Sequence, residues 1–171
     1  MRKILCAAGL ATALCAAAAG DAPPAPAFTH MQAQDWLNSR PLTWPELSGH
    51  VVMVEFWAFD CWNCYRSIPW INALRARHPA LQVIGVHTPE LEQEYVRDNV
   101  VRKITELGVR HPVMIDNDYS YWNAMGNRYW PAFYLIDGHG RVRARYYGEM
   151  HEGDAQTRAI ESVIGKLAAE D

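Results

Sequence analysis

Beyond its first twenty residues the chain switches repeatedly between short apolar runs and stretches whose apolar residues recur every three or four positions. Residues 51–59, rich in valine and aromatic side chains, read as a buried strand, introduced by the turn-forming Trp44-Pro-Glu-Leu-Ser-Gly49. In residues 65–77, Ile68, Ile71 and Leu74 follow helical spacing; Pro79 stops the helix and residues 81–87 return to a buried strand. Strand, helix and strand in that order predict a parallel unit with a right-handed crossover. Thr88-Pro89-Glu90 offers a helix start. Residues 91–107 read as that helix, with Tyr95, Val100, Ile104 and Leu107 facing inward and Gly108 closing it. A strand at 111–116, a short helix at 119–125 and a strand at 130–136 follow. Residues 137–140 have turn composition and lead into an antiparallel strand at 141–147. Residues 154–169 read as a last helix with Ile160, Val163, Ile164 and Leu167 inward. No repeat is visible, and one mixed α/β sheet with helices on both faces accounts for the pattern.

The N-terminus is different in kind. Arg2 and Lys3 precede an apolar run over residues 4–19 that ends in alanines satisfying Ala-x-Ala. That is the pattern of a secretory signal peptide, too short for a comfortable membrane span. Residues 1–20 are therefore expected to be a signal peptide cleaved near Ala19 or Gly20, with an uncleaved anchor as the alternative. Residues 21–40 are expected to be a linker, Pro/Ala-rich and extended or mobile over 21–29, with a short helix at 33–39 that turns Trp36 and Leu37 inward. Residues 41–171 form the main domain, long enough for a real core. The formal charge is −3 with no long block of one sign, which argues against a nucleic-acid partner. Cleavage would leave 14 basic against 19 acidic residues, a net of −5.

Export to a periplasmic or equivalent space changes the cysteine count. Cys6 and Cys15 lie in the leader, so the mature chain keeps Cys61 and Cys64. A bridge between them closes too short a loop to remove much chain entropy, which makes structural stapling a poor explanation. A closed zinc site wants four ligands, no second cysteine pair exists, and the spacing of His87 and His111 suggests nothing. Redox chemistry is the favoured reading, with a structural disulfide and a metal site as alternatives. A strand feeding straight into a helix puts Cys61 at the helix N-terminus, where free N–H groups and the macrodipole stabilise a thiolate. Cys61 is then the attacking thiolate and Cys64, one turn inside, the resolving cysteine. Asp60 reads as a solvated loop residue. Alternation puts Glu55 on one strand face with Trp57 and Phe59, so a buried carboxylate beneath the cysteines is expected. A buried carboxyl binds its proton more tightly, which suits it to take one from Cys64.

Two distant features resemble the thioredoxin-fold family. One is Glu55-Phe-Trp-Ala-Phe-Asp-Cys61-Trp-Asn-Cys64; the other is Trp130-Pro131 at the head of an apolar strand, similar to the family's cis-proline opposite the disulfide. The stretch between them, residues 91–116, is similar to the extra helix and strand of the exported TlpA/ResA-like branch. Val83-Ile-Gly-Val-His-Thr-Pro-Glu90, Asp116-Asn-Asp-Tyr119, Trp122-Asn-Ala-Met-Gly-Asn-Arg-Tyr-Trp-Pro131 and Tyr134-Leu-Ile-Asp-Gly-His-Gly-Arg141 most resemble DipZ-type thioredoxin-like domains. The resemblance covers about residues 41–150. It implies a thioredoxin-like fold: a mixed central sheet, helices on both faces, and the helix–strand insertion before a cis-proline.

The resemblance also implies thiol–disulfide exchange with protein cysteines, without a cofactor or metal, as a reductant or isomerase. A separate membrane protein would supply electrons. The implied substrate contacts are Trp62, Asn63, Trp130 and Pro131. A cis Pro131 would remove a backbone donor and leave the residue before it free to pair with an extended substrate. Trp122, Tyr121 and Tyr129 are further candidates for an aromatic rim, though aromatic residues at this density are more often core. Trp62-Asn63 replaces the Gly-Pro of thioredoxins and the Pro-His of strong oxidants, which leaves the direction of electron flow open. Arg141, Arg143 and Arg145 share one strand face and read as a solvated edge; most of the seven histidines read as surface. Two other functions are weighed, a thiol peroxidase and a non-enzymatic copper- or haem-handling chaperone.

Overall fold

The computed structural model describes residues 22–170; the expected signal peptide lies outside them. Six strands form one sheet in the order β1-β4-β3-β2-β5-β6. They are β1 (Trp36–Leu37), β2 (Val52–Trp57), β3 (Gln82–His87), β4 (Val113–Ile115), β5 (Ala132–Ile136) and β6 (Val142–Tyr147). β2, β3 and β4 run parallel to one another, and β5, β6 and β1 pair antiparallel with their neighbours. The helices are α1 (Trp62–Arg77), α2 (Arg97–Glu106), α3 (Ser120–Ala124) and α4 (Ala155–Glu170). Among the described residues no helix is long and apolar enough to cross a membrane.

β2 is buried along its whole length, as a central strand covered on both faces must be. Its even-numbered residues Val52, Val54 and Phe56 pack with Ile84, Val86, Met114 and Tyr134 against Phe28, Trp36 and the α3 aromatics Tyr121 and Trp122. On the other face Met53 joins Trp70, Ile71 and Leu74 of α1 and Ile160, Ile164 and Leu167 of α4. Further along that face, Trp57, Phe59, Cys61, Cys64 and Ile68 pack with Val100 and Ile104 of α2 and with Val113. The helix–strand insertion, α2 and β4, therefore builds one wall of the space around the cysteines.

Two expectations change. Trp36 and Leu37 form a strand paired with Met114 and Val113; only Ala33–Asp35 is helical, as a 3-10 turn. Residues 91–107 divide into a 3-10 turn, Glu92–Tyr95, and α2, so Val100 and Ile104 face inward while Tyr95 is exposed. The buried Glu94 carboxylate caps the start of the 3-10 turn by accepting the Leu91 N–H. His87 and His111 are fully buried. The Pro/Ala-rich segment is extended and docked: Pro24 bridges Arg141, and Phe28 stacks on Trp44 with ring centroids 5.1 Å apart. Gly108, at φ 68°, ends α2 in the left-handed region that glycine tolerates. On the edge strand, Arg143 pairs with Asp137 and Glu170, and Arg145 lies over the Tyr134 ring.

Candidate active site

β2 delivers the chain through Ala58 to Asp60 directly into α1, and Cys61 is the residue that caps this helix. Its Sγ accepts the Cys64 backbone N–H at 3.3 Å, the interaction that holds negative charge on this sulfur once the bond is opened. Cys61 and Cys64 are joined in a disulfide. Cys61 retains 9% of its surface while Cys64 has none, so a partner reaches the first sulfur. Ser67 secures the first turns of α1, donating to the Asn63 carbonyl and accepting the Met150 N–H.

Trp62 stands 63% exposed, edge-on to Tyr65 and beneath the Arg66 guanidinium. A cleft beside Cys61 is lined by Asp60, Trp62, Asn63, Glu90, Leu91 and Trp130. The Trp130–Pro131 peptide is cis. Trp130 donates its indole N–H to the Thr88 carbonyl and packs on Trp122 at 4.2 Å between ring centroids. The wider aromatic rim does not form. Tyr121 and Trp122 are core residues, and Tyr129 is exposed against Tyr147. The reason is α3, which turns its aromatic residues onto Phe56 and Phe28.

Glu55 is 1% exposed and, as expected, shares its sheet face with Trp57. It lies between Met53 and Trp57, both packed under α1, and its Oε2 is 3.6 Å from His111 Nε2. Asp60 is exposed, as expected, and accepts from the Gln93 amide.

Sequence reasoning missed Glu94. Its buried carboxylate accepts the backbone N–H groups of Asp60, Glu90 and Leu91 at 2.7–2.8 Å, tying the residue before Cys61 to the insertion. The available signal was Leu91-x-x-Glu94, the spacing by which a glutamate reaches back to a helix start. Asp116 was missed as well: it accepts the Tyr121 and Trp122 N–H groups and so begins α3. Burial pushes its carboxyl up, and those two backbone bonds oppose the shift. His30, Asp116 and Asp118 lie close enough to hold a metal ion, but Asp116 is already committed to these backbone donors.

His87 sits between Trp57 and Phe59 with neither ring nitrogen bonded. Burial pushes it down to about 4, so it is neutral at pH 7. The unfolded chain, near 6.5, takes up a proton that the folded chain refuses. The stability His87 contributes is whole above pH 6.5 and is lost as pH falls toward 4, by about 3 kcal/mol in all. Urea unfolding of the wild type and His87→Phe across pH 7 to 4 should show the variant losing less stability; parallel losses would contradict this assignment.

A thioredoxin-type sheet with a cysteine pair heading its central helix defines a thioredoxin-like thiol–disulfide oxidoreductase. The Redoxin family model matches residues 18–164, and the chain belongs to that family. It is 45% identical over 121 residues to protein DipZ of Mycobacterium tuberculosis (strain CDC 1551 / Oshkosh), which covers 67% of this chain but only 17% of that longer protein. It is 27% identical over 149 residues to thiol-disulfide oxidoreductase YkuV of Bacillus subtilis (strain 168), covering 86% of this chain and 95% of YkuV. The crystal structure of the thioredoxin-like superfamily protein SPOA0173 superposes with a TM-score of 0.75 at 27% identity, covering 88% of this chain and 99% of that one.

Proposed function

We propose that this domain works in an exported, periplasmic-type compartment, where it reduces or isomerises disulfides in other proteins. A separate membrane protein re-reduces it. The observation that carries the reading is the asymmetry of the pair: a reachable Cys61 capping a helix, and a sealed Cys64. In the reduced enzyme the Cys61 thiolate attacks a substrate disulfide. One substrate sulfur leaves as a thiolate and the other is held on Cys61 in a mixed disulfide. Cys64 then loses its proton and attacks Cys61 Sγ, releasing the second substrate thiol and restoring the Cys61–Cys64 bond. Two electrons pass to the substrate. Glu55 accepts the Cys64 proton. Trp62, Asn63, Trp130 and Pro131 hold the substrate chain in the cleft beside Cys61. The composition of residues 1–20 supports export.

The test mixes the reduced protein separately with a disulfide-bonded Cys-x-x-Cys peptide, hydrogen peroxide and Cu(I). Fast, stoichiometric transfer of two electrons to the peptide is expected. Turnover with peroxide outpacing the peptide would overturn the reading in favour of a peroxidase. Tight one-to-one copper binding without peptide reduction would favour a chaperone.

A further inference from the structure

Around the Cys64 end of this sheet face, four buried polar side chains have atoms that no protein group satisfies: Glu55 Oε1, Trp57 Nε1, and both ring nitrogens of His87 and of His111; Trp70 Nε1, in the neighbouring cluster of the same face, is another. Buried polar atoms are rarely left so, and where they gather they call for an explanation. Three of the four converge on one point. Gly85 is the β3 residue in register with Glu55 on β2 and Val113 on β4. A Cβ at Gly85 would meet Trp57 Nε1 at 3.0 Å, His111 Nε2 at 3.2 Å and Val113 at 3.3 Å. The absence of a side chain there lets the indole N–H and the imidazole approach the row that holds the Glu55 carboxylate.

His111 is also held firmly from behind. Its carbonyl accepts the Asn38 side-chain amide at 3.0 Å, and the same amide takes the Val109 carbonyl. Asn38 adopts φ 62°, a conformation asparagine tolerates. The next residue's carbonyl, that of Pro112, accepts the Gly85 N–H at 2.8 Å. The Asn38 bond and the β3–β4 register thus hold His111 beside Glu55, with Nε2 3.6 Å from Oε2. The other titratable groups in this packing are Cys61, which caps α1, Cys64 and Tyr65 on α1, and His87 on β3. α2 contributes Val100 and Ile104, and β5 contributes Phe133. Among the described residues no other ion pair reaches Glu55 or His111.

We propose that His111 is a positioning residue for the exchange reaction: with Glu55 it forms one buried proton-holding pair that makes the carboxylate available to Cys64. The inference rests on the role given above to Glu55. A carboxyl group alone in an apolar core keeps its proton and cannot accept another. The imidazole Nε2 lies 3.6 Å from the carboxylate Oε2, just outside hydrogen-bond range, and a small side-chain rotation brings it within reach; a donor there favours the charged form. When Cys64–SH gives up its proton, the proton passes to the pair, which changes from one net negative charge to none. The Cys64 thiolate forms the S–S bond with Cys61 as the substrate thiolate leaves. The proton returns to solvent or to the departing thiolate, so protons and electrons balance. The open side of Gly85 leaves room for the two groups and for the Trp57 indole beside them.

Stopped-flow reaction of the reduced protein with a fluorescent peptide disulfide separates the Cys61 attack from the Cys64 release. In His111→Phe the attack phase is expected to be unchanged. Release should slow about tenfold at pH 7, and its pH midpoint should move up by about one unit. His111→Gln, which keeps a donor, should recover part of the loss. Glu55→Gln should slow release about a hundredfold. A normal release profile in both histidine variants alongside a slow Glu55→Gln would overturn the role of His111 and leave that of Glu55 standing. Normal release in all three would remove Glu55 itself. If His111→Phe does not fold, ¹⁵N-imidazole spectra of the wild type and Glu55→Gln decide: the His111 signals should move when the carboxylate is lost, and unchanged signals would refute the pairing.

Discussion

Replacing Cys64 with serine should turn the protein into a trap. Cys61 still attacks, but nothing remains to open the bond it forms, so a mixed disulfide with the substrate accumulates and turnover stops. The serine hydroxyl is no substitute, because resolution requires a thiolate. Cys61→Ser should lose both the adduct and the turnover, since Cys64 is completely buried and cannot reach a partner. Mass spectrometry after mixing reduced Cys64→Ser with a disulfide peptide should find one peptide per chain, sensitive to dithiothreitol. An equal adduct on Cys61→Ser would reverse the assignment of the two cysteines.

The largest stability effect is expected at Glu94. This buried carboxylate is the common acceptor for three backbone donors, and among the described residues no cation pairs with it. Hydrogen bonds to a charged acceptor contribute more than neutral ones, and unsatisfied donors add their desolvation cost. Glu94→Ala should lose about 4 kcal/mol, reduced from the full sum because water reaches Asp60, Glu90 and Leu91 once the side chain is gone. Glu94→Gln should lose less, having kept one acceptor oxygen. Urea denaturation measures both. A loss below about 1 kcal/mol for the alanine variant would mean that other contacts fix the loop before Cys61.

How much of this was legible in the chain depended on how far each signal reached along it. The β2–α1 junction was readable because its apolar run, its helical spacing and its cysteines are contiguous. The burial of Glu55 followed from simple alternation with Trp57. Glu94 was hidden because, in the polar stretch Glu92-Gln93-Glu94, a glutamate that folds back on the chain looks like one on a solvated helix face. β1 is two residues long, too short for any period, and is identified only by its pairing with β4. His111 sits between an arginine and a proline, and only the sheet register brings it to Glu55. The aromatic residues of 119–130 were the hardest to divide. Trp130 lines the cleft while Tyr121 and Trp122 fill the core, and α3 makes that choice through a carboxylate, Asp116, that no local pattern announces.

Whether this protein reduces or forms disulfides depends on the direction in which the Cys61–Cys64 pair passes electrons. The measurement that decides it is the reduction potential of the pair, by equilibration of the protein in dithiothreitol or glutathione buffers. The reductant reading predicts a value near that of thioredoxin, about −270 mV, low enough for the dithiol to reduce disulfides in an oxidising space. A value near that of a strong oxidant, about −120 mV, would contradict it and make this protein a source of disulfides instead.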